Sequence, residues 1–153
     1  MGRGWWFEDA IPGEVMDHPG GRTIGADEHI LLAWLTNNAS DVHGNHDVAS
    51  RGAFGGPVVL GALSVAIVVG LAEPAAGPPR VAARAILTGW RRIGLVGLLL
   101  PGDTLYASSR IDDARRDADH GGGMVSRLIV GRTHRGDEVV RIEEERWVPS
   151  RAR

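Results

Sequence analysis

Cysteine is absent from the 153 residues. Its absence removes disulfides, thiolate nucleophiles, zinc–thiolate sites and iron–sulfur clusters together, and leaves the redox compartment open. Lysine is absent too: all 17 basic residues are arginine, against 19 acidic ones. The formal charge of −2 lacks the positive excess with which a protein displaces counterions from a phosphate backbone, so no nucleic-acid partner is expected. The all-arginine usage is read as a property of the coding sequence, not as a phosphate site. No apolar run reaches the roughly 20 residues that a bilayer crossing needs. The longest, Val58 to Ala72, is interrupted by Gly61, Ser64 and Gly70 and closed by Pro57 and Glu73-Pro74. It reads as a buried helix over about 57–72. The first residues, Met1 to Asp9, lack a charged segment followed by an apolar one. The expectation is therefore a cytoplasmic protein with no membrane association.

What is present fits a single domain over 1–153, with 43% hydrophobic residues to close one core. Phe7 to Val15 reads as a short strand and turn, with a second turn at His18-Pro19-Gly20-Gly21. From Ala26 to Asn37, Ile30, Leu31, Trp34 and Leu35 fall at helical spacing, and Asp27 and Glu28 sit where the helix dipole favours acids. The polar stretch that follows is rich in capping and turn residues, which predicts a loop over about 36–49. The apolar helix comes next and has no polar face, so it must be wrapped by protein. After a linker from Glu73 to Pro79, four β-compatible stretches remain: Val81–Trp90, Thr104–Asp112, Gly123–His134 and Glu138–Val148. Turns at Pro101-Gly102-Asp103 and Arg135-Gly136-Asp137 separate strands. The architecture expected is α+β, an antiparallel sheet wrapped around a central apolar helix.

Asn38-Ala39-Ser40-Asp41-Val42-His43, then Ala49, then Phe54-Gly55-Gly56-Pro57-Val58-Val59 and Gly61 form an ordered series. That series resembles the MaoC-like hydratase/dehydratase family, whose members carry an Asp-x-Asn-Pro-x-His active-site loop, an Ala, and Phe-Gly-x-Pro-Ile-Val-His-Gly leading into the central helix. The resemblance extends through Phe7-Glu8-Asp9, Gly21-Arg22-Thr23-Ile24, Pro101-Gly102-Asp103-Thr104-Leu105 and Trp147-Val148-Pro149. It implies a single hot-dog domain, a homodimer or higher homo-oligomer with sheets joined edge to edge, and a thioester site at the subunit boundary. Leu35-Thr36-Asn37-Asn38 is similar to the branch that includes mesaconyl-CoA hydratases.

The departures fall on the chemistry. Asn38 stands where the family has its catalytic Asp, Ser40 and Asp41 replace Asn and Pro, Leu60 replaces the His of His-Gly, and Val69 replaces a serine. Adding water to an enoyl thioester needs a base at the water, a proton donor at Cα and dipoles on the thioester oxygen. The resemblance assigns acid/base work to His43. Asn38 can orient a water but cannot take its proton. A histidine, which gains and loses its proton nearest neutral pH, can serve both transfers when water and substrate share one face. Gly61 offers its backbone N–H at the positive end of the helix dipole, and close helix–sheet packing would equally explain it. Asp41 is a candidate substitute carboxylate, set against a role as a solvated turn residue.

Weaker readings complete the set. His43-x-x-His46, with Asp47, lacks a positioned third ligand, and no metal is expected. Arg91, Arg92, Arg115 and Arg116 have the right type for a coenzyme A phosphate, yet paired arginines usually form a solvated face. Trp34 and Trp90 fit core positions, and Trp5, Trp6 and Phe7 could cover the core or meet another subunit. The function expected is a hydratase or dehydratase on an enoyl or β-hydroxyacyl thioester. The substrate is carried by coenzyme A or an acyl carrier, with no cofactor of the protein's own. The alternatives are a noncatalytic thioester-binding subunit that needs a hot-dog partner chain, and a hot-dog thioesterase.

Overall fold

A computed structural model describes residues 6–73, 85–117 and 119–151. The four longest strands are β3 (Ile86–Leu95), β4 (Thr104–Asp117), β5 (Gly122–Thr133) and β6 (Glu138–Pro149), and two short ones precede them, β1 (Val15–Asp17) and β2 (Arg22–Thr23). The sheet is antiparallel in the order β1-β4-β5-β6-β3, and β2 also pairs with β4. The turns at Pro101-Gly102 and around Arg135 stand where their residue types place them. Phe7–Asp9 forms a 3-10 helix rather than a strand, and buries Phe7 against Ile111, Val125 and Val148. The first predicted strand begins later than Val81, at Ile86; residues 81–84, the linker after Glu73 and Trp5 lie outside the described residues.

Period-two alternation puts Leu105, Ala107, Ile129 and Ile142 on one face of the sheet, all buried. Helix α1 (Ala26–Leu35), the short helices α2 (Asp41–Gly44) and α3 (His46–Ser50), and helix α4 (Gly61–Leu71) complete the domain. The loop expected over 36–49 thus contains two single-turn helices. α4 lays Ile67 and Val68 on the apolar sheet face, where each fully buried side chain of this type is worth roughly 1.5–3 kcal/mol. Contact is close because β5 carries Gly131 beneath the helix: a Cβ there would overlap the Val68 side chain.

Two sequence expectations about burial change. α4 is buried along Ser64, Ile67 and Val68, while Ala62, Ala66 and Gly70 at four-residue spacing are exposed. The sheet therefore covers one side of the helix in the single chain, and small residues limit the apolar area of the other. α1 buries His29 and Ala33, whereas Leu31, Trp34 and Leu35 face outward, Trp34 at 74% exposure. Trp90, on edge strand β3, is likewise exposed, and neither tryptophan is a core residue.

A charged cluster lies where α4 ends over the sheet. Arg127 donates to Glu144 at 2.8 Å and to the Ala72 carbonyl at 3.1 Å, while Arg146 bridges Glu144 and Glu73. Burial alone would raise the Glu144 carboxyl. The Arg146 hydrogen bond and the charges of Arg127 and Arg146 outweigh it and hold the group below the ordinary range.

Candidate functional site

α1 opens with Gly25, whose N–H donates to Glu28 Oε1 at 2.8 Å. It ends where Asn37 adopts a φ of 53°, a conformation that asparagine tolerates. Asn38 then turns the chain back: its N–H donates to the Ala33 carbonyl at 2.8 Å, and its Oδ1 accepts the Ser40 N–H at 3.1 Å. This local turn leaves the Asn38 Nδ2 without a partner among the described residues. Asn38 and Asp41, with Trp34, Asn37, Ser40 and Asn45, line a cleft of about 390 Å³. Asp41 accepts from Asn45 Nδ2 at 3.3 Å along α2 and is exposed, the geometry of a solvated turn residue at the mouth of that cleft.

His43 is half-buried, and its ring does not line the cleft. Its Nδ1 lies 2.7 Å from the Val58 carbonyl, which can only accept, so Nδ1 carries the proton in the neutral ring and Nε2 is left as the basic nitrogen. A backbone bond from Val58 N–H to the Val42 carbonyl, 3.0 Å, runs beside it. α2 is thereby tied to the segment that leads into α4.

His29, which the sequence reading passed over, completes this arrangement. It is fully buried, accepts the Leu60 N–H on Nδ1 at 3.2 Å, and donates from Nε2 to the His43 carbonyl at 2.8 Å. The two imidazole rings meet edge to face at 6.0 Å. The hint in the sequence is a histidine four residues before Ala33, at the head of the apolar run Ile30-Leu31-Leu32-Ala33-Trp34-Leu35. Leu60 caps α4, and the next residue is Gly61, whose N–H has no acceptor among the described residues. A Cβ at Gly61 would overlap the Leu95 side chain, so the packing role and the open N–H coexist. The four candidate residues therefore separate into two pairs: Asn38 and Asp41 share the cleft, while His43 and Gly61 are linked through His29 and Leu60.

The remaining candidates lie apart. His46 is exposed and Asp47 pairs with Arg51 at 2.5 Å. Among the described residues, no three His, Asp or Glu side chains converge as metal ligands. Arg91 pairs with Glu145, Arg115 with Asp113, and Arg116 with Glu8 while covering the Phe7 ring. Arg92 has no carboxylate partner among the described residues and borders a hollow on the outer sheet face, away from the histidines. Leu60 is buried in the core and Val69 packs against it, so neither supplies a polar group to the site.

No protein-family model matches the chain, and no curated protein does. Solved structures do. A MaoC-like dehydratase from Rhodospirillum rubrum superposes with a TM-score of 0.84 at 20% identity, over 98% of this chain and 100% of that one. A MaoC domain protein dehydratase from Chloroflexus aurantiacus gives a TM-score of 0.85 at 23% identity, over 99% of this chain and 46% of that chain, so this chain spans about half its length. An (R)-hydratase from A. caviae involved in PHA biosynthesis gives 0.71 at 21% identity, over 91% and 97% of the two chains. The antiparallel sheet packed on a central apolar helix is thus the hot-dog fold of the MaoC-like dehydratases and (R)-hydratases.

Proposed function

We propose that this protein is a hydro-lyase that adds water to, or removes it from, the double bond of an acyl thioester, with His43 as its acid/base. The observation that carries the reading is the His43 ring itself. Its Nδ1–H is committed to the Val58 carbonyl, so Nε2 is free to take a proton from water. In hydration, the water oxygen bonds to Cβ, its proton passes to Nε2, and the same proton is delivered to Cα; dehydration runs the sequence backwards. The Gly61 N–H, at the start of an 11-residue helix, supplies a dipole for the thioester oxygen as negative charge builds there. Asn38 orients the water from the cleft side. Coenzyme A or an acyl carrier brings the substrate, and the chemistry draws on no cofactor.

The fold supports a homodimer as the working unit. Among the described residues β3 is an edge strand, with Ile86, Trp90, Ile93 and Leu95 exposed on it, and pairing two such edges would satisfy open backbone groups and cover apolar surface. A second reading keeps the fold and moves the chemistry: a thioester-binding subunit whose hot-dog partner holds the acid/base pair. That the cleft lined by Asn38 and Asp41 is not lined by His43 favours it.

Incubating the purified protein with crotonyl-CoA, mesaconyl-CoA and related enoyl-CoA thioesters, and following loss of the conjugated double bond, separates the two. Water addition by wild type that His43→Ala abolishes is the expected result. A silent wild type that gains activity only with a second hot-dog chain selects the partner-subunit reading.

A further inference from the structure

We propose that His29 is a positioning residue for His43 and for the first turn of α4; what it positions them for rests on the hydration reading above, while the geometry does not. The Leu60 N–H can donate only to an unprotonated nitrogen, so the 3.2 Å contact fixes His29 Nδ1 as acceptor and Nε2 as the protonated donor to the His43 carbonyl. Both ring nitrogens of a fully buried side chain are thus used, one on each of two segments far apart in the chain.

Those two segments are the partners of the His43 ring bond. The Nδ1–H of His43 reaches the Val58 carbonyl; His29 holds His43 by its backbone on one side and Leu60, two residues beyond Val58, on the other. The edge-to-face contact at 74° also limits rotation of the His43 ring. An apolar side chain at this place would leave the His43 carbonyl and the Leu60 N–H without partners in a buried site. It would also release the two segments from each other. The His43 ring could then exchange between tautomers, and the one with its proton on Nε2 cannot accept a proton from water. His29 touches neither water nor substrate in this scheme: it selects the tautomer of the group that does.

The test uses the full chain labelled with nitrogen-15 and long-range proton–nitrogen spectra of its imidazoles. Wild type should show His43 protonated on Nδ1 and His29 on Nε2; the opposite tautomer at either ring overturns the proposal without any variant. His29→Phe keeps the ring and loses both hydrogen bonds, and His29→Asn, should the Phe variant fail to fold, can still meet Leu60 but cannot reach the His43 carbonyl. Each is expected to turn the single His43 tautomer into a mixture. Each should also lower kcat by on the order of tenfold at nearly constant KM. His29→Gln, which restores a donor at the reach of Nε2, should recover both readouts. A folded Phe or Asn variant with one His43 tautomer and undiminished kcat overturns the positioning role while leaving the hydratase reading intact. A wild type silent on every thioester, whose His43 tautomer nevertheless follows residue 29, overturns the hydratase reading and supports the brace.

Discussion

At His43, one hydrogen bond settles two properties, because the same Nδ1–H···O=C contact with Val58 orients the ring and leaves Nε2 as the unprotonated nitrogen. His43→Ala should therefore abolish turnover and also cost about 1 kcal/mol of stability, the usual net worth of such a bond. Thermal unfolding alongside the thioester assay reads both. Asn38 is more permissive. Its Oδ1 serves the local turn through Ser40, and an aspartate would keep that acceptor while adding a second oxygen beside the cleft. Asn38→Asp is expected to fold normally and to raise the hydration rate, by up to about the 10²- to 10⁴-fold that a positioned base contributes. An unchanged rate would mean that the cleft and the His43 ring do not serve one substrate.

Among the elements, the turn before β4 draws its strength from charge. Asp103 is buried, accepts two bonds from Arg135 on the β5–β6 hairpin, the shorter at 2.7 Å, and accepts the Leu100 N–H at 3.0 Å. The Arg135 hydrogen bond, opposed by burial and helped by the Leu100 N–H, holds its carboxyl below the ordinary aspartate value. A group depressed in this way binds fewer protons folded than unfolded. Its stabilisation is complete above the unfolded value of about 3.9 and is lost as pH falls through the lowered folded value. Asp103→Asn should cost about 1.5 kcal/mol at neutral pH. The gap to wild type should narrow progressively below about pH 4. Urea unfolding of both proteins at several pH values checks the magnitude and the direction, and a gap that widens in acid contradicts the assignment.

At the scale of the whole molecule, the β3 edge is the surface that points to assembly. Among the described residues the ten-residue β3 is paired on one side only, and Ile86 and Leu95 are both 59% exposed, a combination that monomers avoid. Analytical ultracentrifugation should find a dimer in wild type. Trp90→Lys combined with Ile93→Lys should shift it to monomer without unfolding the sheet, since both side chains are already exposed. A double variant that remains fully dimeric would place the interface elsewhere, with the outward Leu31, Trp34 and Leu35 of α1 as the next surface to alter.

The sequence alone determined the features set by residues close together in the chain. Turn-forming Pro101-Gly102-Asp103 and Arg135-Gly136-Asp137 delimit strands, alternation marks β4 to β6, and the long run free of charge from Val58 to Ala72 makes the central helix, so the α+β order was legible. The spacing from Asn38 to Gly61 likewise marked the region of the candidate site. Which face of each helix is buried was not legible. An apolar period says that a face exists but not what covers it, and α1 turned His29 and Ala33 inward while leaving its larger side chains outside. The same holds for the site. His29 reaches 14 residues along the chain to His43 and 31 to Leu60, and Asp103 reaches 32 to Arg135. A buried backbone group takes the donor or acceptor that packing brings to it, whatever the distance along the chain. The candidate residues for chemistry were therefore written in the sequence, whereas the orientation in which the His43 ring stands was decided only when α1, α2 and the segment leading into α4 came together.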